Sequence, residues 1–346
     1  MVLAASGCGA VRSDELRASA GGAADSEVAG RSSSDSSAGS DAVSGGNAAG
    51  EGGTGAAGEG GTGAMDAAGA VGTSGGSGAR PGSAAAGMSG NPPVAQGCVG
   101  AVNVEGDLDM RASAPAPGLI ANVLGNLTIG ATATDLTSLR CLDTVGGNLS
   151  IQLETGELNA LGRLRYVTGD LNIEGNRTIE NLGALKRLGS VGGSLTIRGT
   201  SNLVDLSGTL LGYVGKGLSV QENSALESLS GLEEVAQLTE VWIVNNPRLL
   251  NLDGLSNVER RGVGIQIVNN PALVSVGGLR GLDEPHYLTI KNNPSLRDFK
   301  GLETWTHIQG QVVISANANL STCVIDEFLA RCQASVVLVE DNGPCN

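Results

Sequence analysis

The chain has 346 residues, of which 55 are glycine and only 2% are aromatic, and its formal net charge is -14. Lys and Arg do not cluster along this acidic sequence, so we expect no nucleic-acid partner, because such binding depends on grouped cations that neutralise phosphates. No apolar run reaches the roughly 20 residues that a membrane-spanning helix needs, so we expect no transmembrane helix.

The N-terminal stretch MVLAASGCGA surrounds a cysteine with small residues. Ala5, Ser6, Gly7 and Cys8 resemble the bacterial lipobox, in which the cysteine is lipidated and becomes the mature N-terminus. Residues 1–8 are then the remnant of a signal peptide, because the basic segment that opens such a peptide is missing. We expect either a start site further upstream or a trimmed sequence. The alternative is a chance group of small residues around one cysteine.

The lipobox interpretation predicts that acyl chains on Cys8 attach the protein to a membrane. In some bacteria an Asp after the lipidated cysteine retains the lipoprotein in the inner membrane. Gly9 and Ala10 follow Cys8 here, which favours the outer membrane or the cell surface.

Residues 9–97 consist mainly of Gly, Ala and Ser with scattered carboxylates. Such a segment cannot bury enough apolar surface to offset its chain entropy, so we predict a disordered linker. Its expected end-to-end distance is on the order of 50 Å. The glycine-rich stretch does not match calcium-binding nonapeptides, because Asp66 falls one position late.

From Cys98 onward, an apolar-x-apolar pattern recurs every 22 to 24 residues and predicts short strands whose two apolar residues share one face. The predicted strands begin at Leu127, Leu149, Leu171, Leu195, Leu218, Val241, Ile265, Leu288, Val312 and Val336. A weaker strand at residues 108–110 forms the first rung. In this register, Leu338 is the second inward residue of the last strand.

Each strand is followed by apolar residues spaced three apart, as in Leu249, Leu252, Leu255 and Val258. An α-helical stripe has a period of 3.6, so this spacing favours short turns and 3₁₀ segments. One such repeat is too small to be stable by itself. The predicted folding unit is therefore the whole array, residues 98–346.

A polar column lies three residues beyond the second inward residue of most strands. Its asparagines are Asn176, Asn223, Asn246, Asn270, Asn293 and Asn317, with Asp341 in the last rung and Thr132, Glu154 and Thr200 as exceptions. An Asn at this corner can adopt a left-handed conformation, bond the backbone of the turn and stack on its neighbours. We therefore expect a structural role for this column, not a ligand site.

Leu238, Val241, Ile243 and Asn246 fit the leucine-rich-repeat pattern L-x-x-L-x-L-x-x-N-x-L, but the next apolar residue, Leu249, comes one position late. This departure, together with VGGNLSI, TGDLNI and VGGSLTI, makes the chain resemble the receptor L-domain family. The resemblance implies a mainly β fold, a right-handed single-stranded β-helix of about ten rungs, and a bacterial surface lipoprotein. It says little about a ligand, because the matched positions are core and corner residues.

Five cysteines follow Cys8. We expect a disulfide between Cys323 and Cys345, because Cys345 falls near the position of Cys323 one rung later and rungs lie about 4.8 Å apart. Cys98 and Cys141 form the second expected pair, which leaves Cys332 over. The segment VIDEFLARC predicts a helical turn or two that helps residues 321–346 to cap the array.

Candidate catalytic residues are few. His286 and His307 lie near turns without a nucleophile motif, and Asp170, Glu174 and Arg198 lie on the outward side of adjacent strands, as in β-helix enzymes that cleave polysaccharides. Solvated surface residues look identical in sequence. We predict no enzymatic activity, no cofactor and no metal site.

The outward residues of the strands are mostly small and polar until Trp242. Around it, the register predicts a cluster formed by Trp242, Val244, Gln266, Val268 and Tyr287. Exposed aromatic and apolar clusters commonly mark binding surfaces, although β-propensity or a covering segment would also explain one here. We favour a non-catalytic envelope lipoprotein that binds an unknown protein or glycan. The alternatives are a structural envelope protein without a discrete ligand and a carbohydrate-active enzyme.

Overall fold

The structure is a computed structural model that describes residues 97–111, 118–154 and 158–345. Cys8, the predicted signal remnant and all but the last residue of the predicted linker lie outside the described residues. The strands are β1 (Val102–Val104), β2 (Leu108–Met110), β3 (Ile120–Val123), β4 (Leu127–Ile129), β5 (Thr144–Val145), β6 (Leu149–Ile151), β7 (Tyr166–Val167), β8 (Leu171–Glu174), β9 (Ser190–Val191), β10 (Leu195–Arg198), β11 (Tyr213–Val214), β12 (Gly217–Gln221), β13 (Glu240–Val244), β14 (Arg260–Arg261), β15 (Gly264–Val268), β16 (Leu282–Asp283), β17 (Tyr287–Lys291), β18 (His307–Ser315) and β19 (Gln333–Glu340).

The main sheet has eleven strands in the order β2-β4-β6-β8-β10-β12-β13-β15-β17-β18-β19. All neighbouring strands are parallel, and each pair is separated by about one repeat of sequence. Parallel strands joined by crossovers of this kind form a right-handed coil. The fold is thus a mainly β, leucine-rich-repeat-like solenoid, as the sequence predicted.

The interior of the solenoid contains the apolar residues that the repeat predicted. Leu249, Leu252, Leu255 and Val258 are fully buried. In five of the described rungs, the turn that carries such apolar residues is a 3₁₀ helix: Thr137–Cys141, Leu158–Leu161, Gly183–Leu185, Asp253–Leu255 and Gly277–Leu279. A 3₁₀ helix has three residues per turn, so every third side chain returns to the core.

A second parallel sheet, β1-β3-β5-β7-β9-β11, was not predicted. Its later strands have only two residues each, too few for an alternating pattern to be recognised in the sequence. Short glycine-containing corners connect this sheet to the main one. A Cβ atom on Gly193 at one of these corners would overlap with Oδ1 of Asp170. The second glycine in VGGNLSI and in VGGSLTI therefore makes room for a side chain of the preceding rung, and the first makes room for a backbone carbonyl.

A ladder of polar side chains runs along these corners. The Asp107 Oδ1 atom accepts hydrogen bonds from the backbone N–H (2.7 Å) and Nδ2 (3.1 Å) of Asn126. Oδ1 of Asn126 accepts a hydrogen bond from the backbone N–H of Asn148. In the same way, Oδ1 of Asn148 accepts from the N–H of Asp170, and Oδ1 of Asp170 accepts from the N–H of Ser194. Each side chain thus satisfies a backbone donor of the next rung.

The predicted asparagine column forms a second ladder at the opposite end of the main strands. Asn223, Asn246, Asn270, Asn293 and Asn317 are fully buried, and each side-chain oxygen beyond the first accepts bonds from the preceding member. Thr200 joins the ladder through Oδ1 of Asn223. Asn176 is also buried, but its Oδ1 bonds the N–H groups of its own turn.

The left-handed residue of each corner is not the column residue, which corrects one expectation. Positive φ angles occur one position earlier, at Asn245 (58°), Asn269 (59°) and Asn292 (56°). Their side chains form a short outer ladder, in which Asn269 donates to Asn245 and Asn292 donates to Asn269. The two asparagines of each NNP segment therefore have different roles. The first adopts the left-handed conformation that turns the chain, and the second forms hydrogen bonds in the buried ladder.

The predicted register of the last strand is wrong by one residue. Val312 pairs with Val337 and Ile314 with Val339, so Val336 is 57% exposed and Val337 is buried. Consequently Asn342, not Asp341, completes the buried column and accepts from Asn317. Asp341 instead takes the left-handed position that Asn245 occupies in its own rung, with a φ of 53°. The sequence VVLVE offers two equally apolar registers, and only pairing with β18 separates them.

Both expected disulfides are present. Cys98 and Cys141 join the first turn to a 3₁₀ helix, with Cα atoms 5.7 Å apart, and Cys323 and Cys345 join the C-terminal helix to the end of the chain, with Cα atoms 5.0 Å apart. The helix α1 (Thr322–Arg331) is capped by Ser321, whose Oγ accepts a hydrogen bond from the N–H of Cys323.

The interior side of α1 buries Ile325, Phe328 and Leu329 over the end of the core, where the Phe328 ring lies 4.7 Å from that of Phe299. Cys332 takes part in neither disulfide; its buried thiol donates to the carbonyl of Trp305. Across the described ranges, the structure contains no helix that is both long and apolar enough to cross a membrane.

Candidate binding surface on the eleven-stranded sheet

Trp242 is the large outward side chain in the middle of the eleven-stranded sheet. It belongs to β13, where Val241 and Ile243 on either side point into the core, and its own side chain is 38% exposed. The neighbouring rungs place Ser219 and Gln266 beside it. The ring therefore stands above a polar surface, with no larger side chain directly opposite it.

Tyr287 fixes the orientation of this indole ring. The Trp242 Nε1–H group donates a hydrogen bond to the Tyr287 hydroxyl at 3.1 Å, although the two residues are two rungs apart. Tyr287 reaches across the rung between them because Gly264 lies there: a Cβ on Gly264 would come within 2.6–2.8 Å of the Tyr287 ring and hydroxyl. Gly264 is thus part of the site, and sequence analysis missed it.

Val244 and Val268 extend the apolar area beside Trp242. They are directly paired on β13 and β15, and both are half-buried, as are Gln266 and Tyr287. The structure therefore brings together all five predicted residues, with Trp242 the most exposed. We define this set, Trp242, Val244, Gln266, Val268 and Tyr287, as the Trp242 surface.

Charged residues lie at the rim of the Trp242 surface. Glu240 is exposed on β13 opposite Gly264, and Lys291 is exposed on β17 opposite Val268. Two rungs away from β13, Arg198 donates to both carboxylate oxygens of Glu222, and this ion pair raises the pKa of Arg198. The surface thus has an apolar centre and a charged rim, the arrangement found in many protein interfaces.

The alternative set Asp170, Glu174 and Arg198 does not form one cluster. Arg198 is opposite Glu174 on the sheet, but its guanidinium binds Glu222. Asp170 accepts from the backbone of Ser194 in the polar ladder. Two members of the set thus have structural partners, which favours the interpretation that these residues are ordinary surface charges.

The two histidines belong to separate segments. His286 is exposed before β17 with its ring beside Gly262, whereas His307 is half-buried at the start of β18. Within the described residues, no group of three or more His, Cys, Asp or Glu side chains is placed to hold a metal ion.

Comparisons with known proteins yield one similar structure. No protein-family model matches the chain, and no curated protein matches it. Among solved structures, an internalin from Listeria monocytogenes is similar, with 14% sequence identity and a TM-score of 0.41 over 64% of this chain. The chain spans 62% of the length of that internalin. The assignment of the fold depends on the strand pairing and buried ladders described above.

Proposed function

We propose that this protein is a non-catalytic component of the bacterial cell envelope that uses the Trp242 surface to bind a ligand or to adhere. The observation that carries the proposal is the hydrogen bond between Trp242 and Tyr287 at the solvent side of the sheet. It holds a large aromatic side chain in a fixed orientation while 38% of that side chain stays exposed. Fixed, exposed aromatic residues are efficient anchors because little side-chain entropy is lost on binding.

A protein or a glycan is the ligand class that fits this surface best. Parallel strands supply a flat area, and the column of outward residues continues on both sides of Trp242 as Ser219 and Gln266. Apolar Val244 and Val268 lie next to these hydrogen-bonding groups. Mixed apolar and polar areas of this kind suit a protein patch or a sugar chain.

The location that we propose is the outer membrane or the cell surface, with a lipid anchor at Cys8 and the linker between the anchor and the solenoid. The resemblance to receptor L-domains supports this location. The two disulfides also support it, because such bonds persist mainly in oxidising compartments outside the cytosol.

A binding screen with matched variants tests the function. The purified protein is applied to arrays of secreted proteins and of glycans, followed by Trp242→Ala/Tyr287→Ala on every hit. We expect this variant to lose binding by about 1000-fold, since two hot-spot aromatic residues at about 2 kcal/mol each contribute about 4 kcal/mol. Leu250→Ala/Val274→Ala is the control, because these side chains are 45% and 46% exposed outside the sheet.

Unchanged affinity of the Trp242→Ala/Tyr287→Ala variant for all hits would contradict the proposed surface. Equal loss in the control variant would also contradict it. The anchor is tested separately by expressing the gene with Cys8→Ala in its host. Unaltered incorporation of a labelled fatty acid, or unaltered membrane fractionation, would refute lipidation at Cys8.

A further inference from the structure

A second outward surface lies on the six-stranded sheet and includes two tyrosines. Tyr166 on β7 pairs with Ser190 on β9, and Ser190 pairs with Tyr213 on β11. The two tyrosines therefore occupy the same position two rungs apart, with a small residue between them. Tyr213 is 50% exposed and Tyr166 is half-buried.

Cations line the corners that lead into these strands. Arg163 and Arg187 each lie three residues before the paired residues Tyr166 and Ser190, so they occupy the same position in successive rungs. Lys186 extends over the preceding rung, where its Cε lies 3.6 Å from the position of a Cβ on Gly162. Within the described part of the chain, Arg163, Lys186 and Arg187 have no ion-pair or hydrogen-bond partner for their side chains.

Arg165 connects the cations to the tyrosines. Its guanidinium carbon lies 5.1 Å from the centre of the Tyr166 ring, and its nitrogens bind both carboxylate oxygens of Asp143 at 2.6 and 2.8 Å. Asp143 holds the guanidinium in place beside the ring. We define Arg163, Arg165, Tyr166, Lys186, Arg187 and Tyr213 as the basic-aromatic face.

This grouping is unexpected in a chain with a net charge of -14. Along the sequence the cations fall into two groups, residues 163–165 and 186–187, and the solenoid brings these groups to adjacent rungs. Like charges at the same corner of successive rungs repel each other. Arg163, Lys186 and Arg187 therefore form a local positive area that has no ion-pair partner among the described residues, and an anionic ligand would stabilise it.

We propose that the basic-aromatic face binds an acidic polysaccharide that runs along the solenoid axis. Guanidinium groups bind carboxylates and sulfates through paired hydrogen bonds, and the exposed faces of tyrosine rings pack against the C–H faces of sugar rings. The cations recur after one rung, about 4.8 Å, and the tyrosines after two rungs, which matches an extended, repeating ligand. Both ring and charge contacts are then available to one polymer chain.

Other polyanions fit less well. Double-stranded DNA carries one charge per roughly 1.7 Å, so the overall negative charge of this protein opposes its approach more strongly than that of a sparsely charged glycan. An anionic lipid surface has no repeat that corresponds to tyrosines at alternate rungs. The face is also separate from the Trp242 surface, so the inference does not depend on the proposed function.

The test measures the affinity of the full chain for oligogalacturonates of defined length and for dextran sulfate, by calorimetry at low and high salt. Fully methyl-esterified oligogalacturonates and neutral dextran are the uncharged counterparts. We expect binding of at least one acidic polymer and not of its neutral counterpart. Arg163→Gln/Arg187→Gln should weaken it by about tenfold or more, because two charge-assisted contacts are lost.

Two further variants separate charge from specific contact. Arg177→Gln/Arg297→Gln removes the same charge from exposed positions that follow the buried asparagine column, away from the corner that holds Lys186, and should leave affinity within about twofold. Tyr166→Ala/Tyr213→Ala should weaken binding several-fold without changing its dependence on salt, since no charge is removed. Circular dichroism and thermal unfolding of each variant verify that the solenoid is intact.

Several results would overturn the proposal. These are no binding of either acidic polymer, equal binding of the neutral forms, unchanged affinity in Arg163→Gln/Arg187→Gln, or equal losses in the Arg177→Gln/Arg297→Gln control. A further one is tighter binding of a single-stranded oligonucleotide or of phosphatidylglycerol vesicles at the same salt concentration. Trp242→Ala/Tyr287→Ala should bind the acidic polymer normally, so failure of one surface is distinguishable from failure of the other.

Discussion

Asn270 accepts two hydrogen bonds from Asn246, one rung below: its Oδ1 atom receives the backbone N–H at 3.0 Å and the side-chain Nδ2 at 3.2 Å. The Nδ2 group of Asn270 in turn donates to the carbonyl oxygens of Ile243 and Val268. One buried side chain thus satisfies polar groups of two successive rungs. Because apolar residues surround it, the loss of any of these bonds leaves a polar group in the core.

We predict that Asn270→Ala lowers the free energy of unfolding by about 3 kcal/mol, because several buried backbone groups lose their partners. Chemical denaturation followed by circular dichroism measures the change. Thr289→Ala, an outward residue of the next rung, is the control and should cost less than about 0.5 kcal/mol. Equal effects of the two substitutions would argue against the ladder as a source of stability.

Ala316 is a position where substitution should stabilise the protein. It has a φ of 56°, at the corner position that Asn245, Asn269 and Asn292 occupy in other rungs. A left-handed conformation costs an alanine roughly 1–2 kcal/mol, and glycine avoids this cost.

We therefore expect Ala316→Gly to raise the free energy of unfolding by about 1 kcal/mol. Ala318→Gly, two residues later and outside the left-handed region, should lower it by about 0.5 kcal/mol. The two melting curves should move in opposite directions, and a shift in the same direction would contradict the explanation.

Gly193 should not tolerate a side chain, because its Cβ would overlap with Asp170 Oδ1 and lie 2.8 Å from backbone atoms of the preceding rung. We expect Gly193→Ala to destabilise the protein by about 1–3 kcal/mol, the usual cost of overpacking. Gly106 occupies the same position in the first described rung, where a Cβ would have no atom within 4 Å. Gly106→Ala should consequently be almost neutral in the same unfolding assay.

The disulfide between Cys98 and Cys141 closes a chain separation of 43 residues. Loop-closure entropy predicts that Cys98→Ala/Cys141→Ala lowers the free energy of unfolding by about 4 kcal/mol. The loss for Cys323→Ala/Cys345→Ala, with a separation of 22 residues, should be smaller, at about 3 kcal/mol. Measurements under oxidising conditions test this order, and the reverse order would show that local packing dominates over loop length.

Acid should weaken the first polar ladder. Backbone and side-chain hydrogen bonds from Asn126 hold the pKa of the Asp107 carboxyl below its ordinary value. A depressed pKa means that the carboxylate stabilises the fold above the unfolded-state pKa and that this contribution disappears as the pH falls through the folded-state pKa. An NMR titration of the Asp107 carboxyl carbon should give a midpoint below 3.8, the ordinary value. Asn126→Ala should return the midpoint towards that value.

The sequence determined the repeat and the core. Its spacing of 22 to 24 residues located the main strands, and its threefold ladder located side chains such as Leu252 and Leu255, because burial in a solenoid is set by local periodicity that recurs in every rung. The cysteine positions in this array were sufficient to predict both disulfides. The column of asparagines could also be predicted, since most repeats contain one at the same position.

Contacts between rungs decided the features that the sequence did not predict. The register of β19 depended on pairing with β18, and the two-residue strands of the second sheet exist only through their neighbours. Tyr287 reaches Trp242 because Gly264 leaves space between them, and Arg163 and Arg187 take equivalent positions because one turn of the solenoid separates them in sequence. These relationships join residues 22 to 45 positions apart, so their distances are set by the stacking of whole coils, which no local pattern in the sequence records.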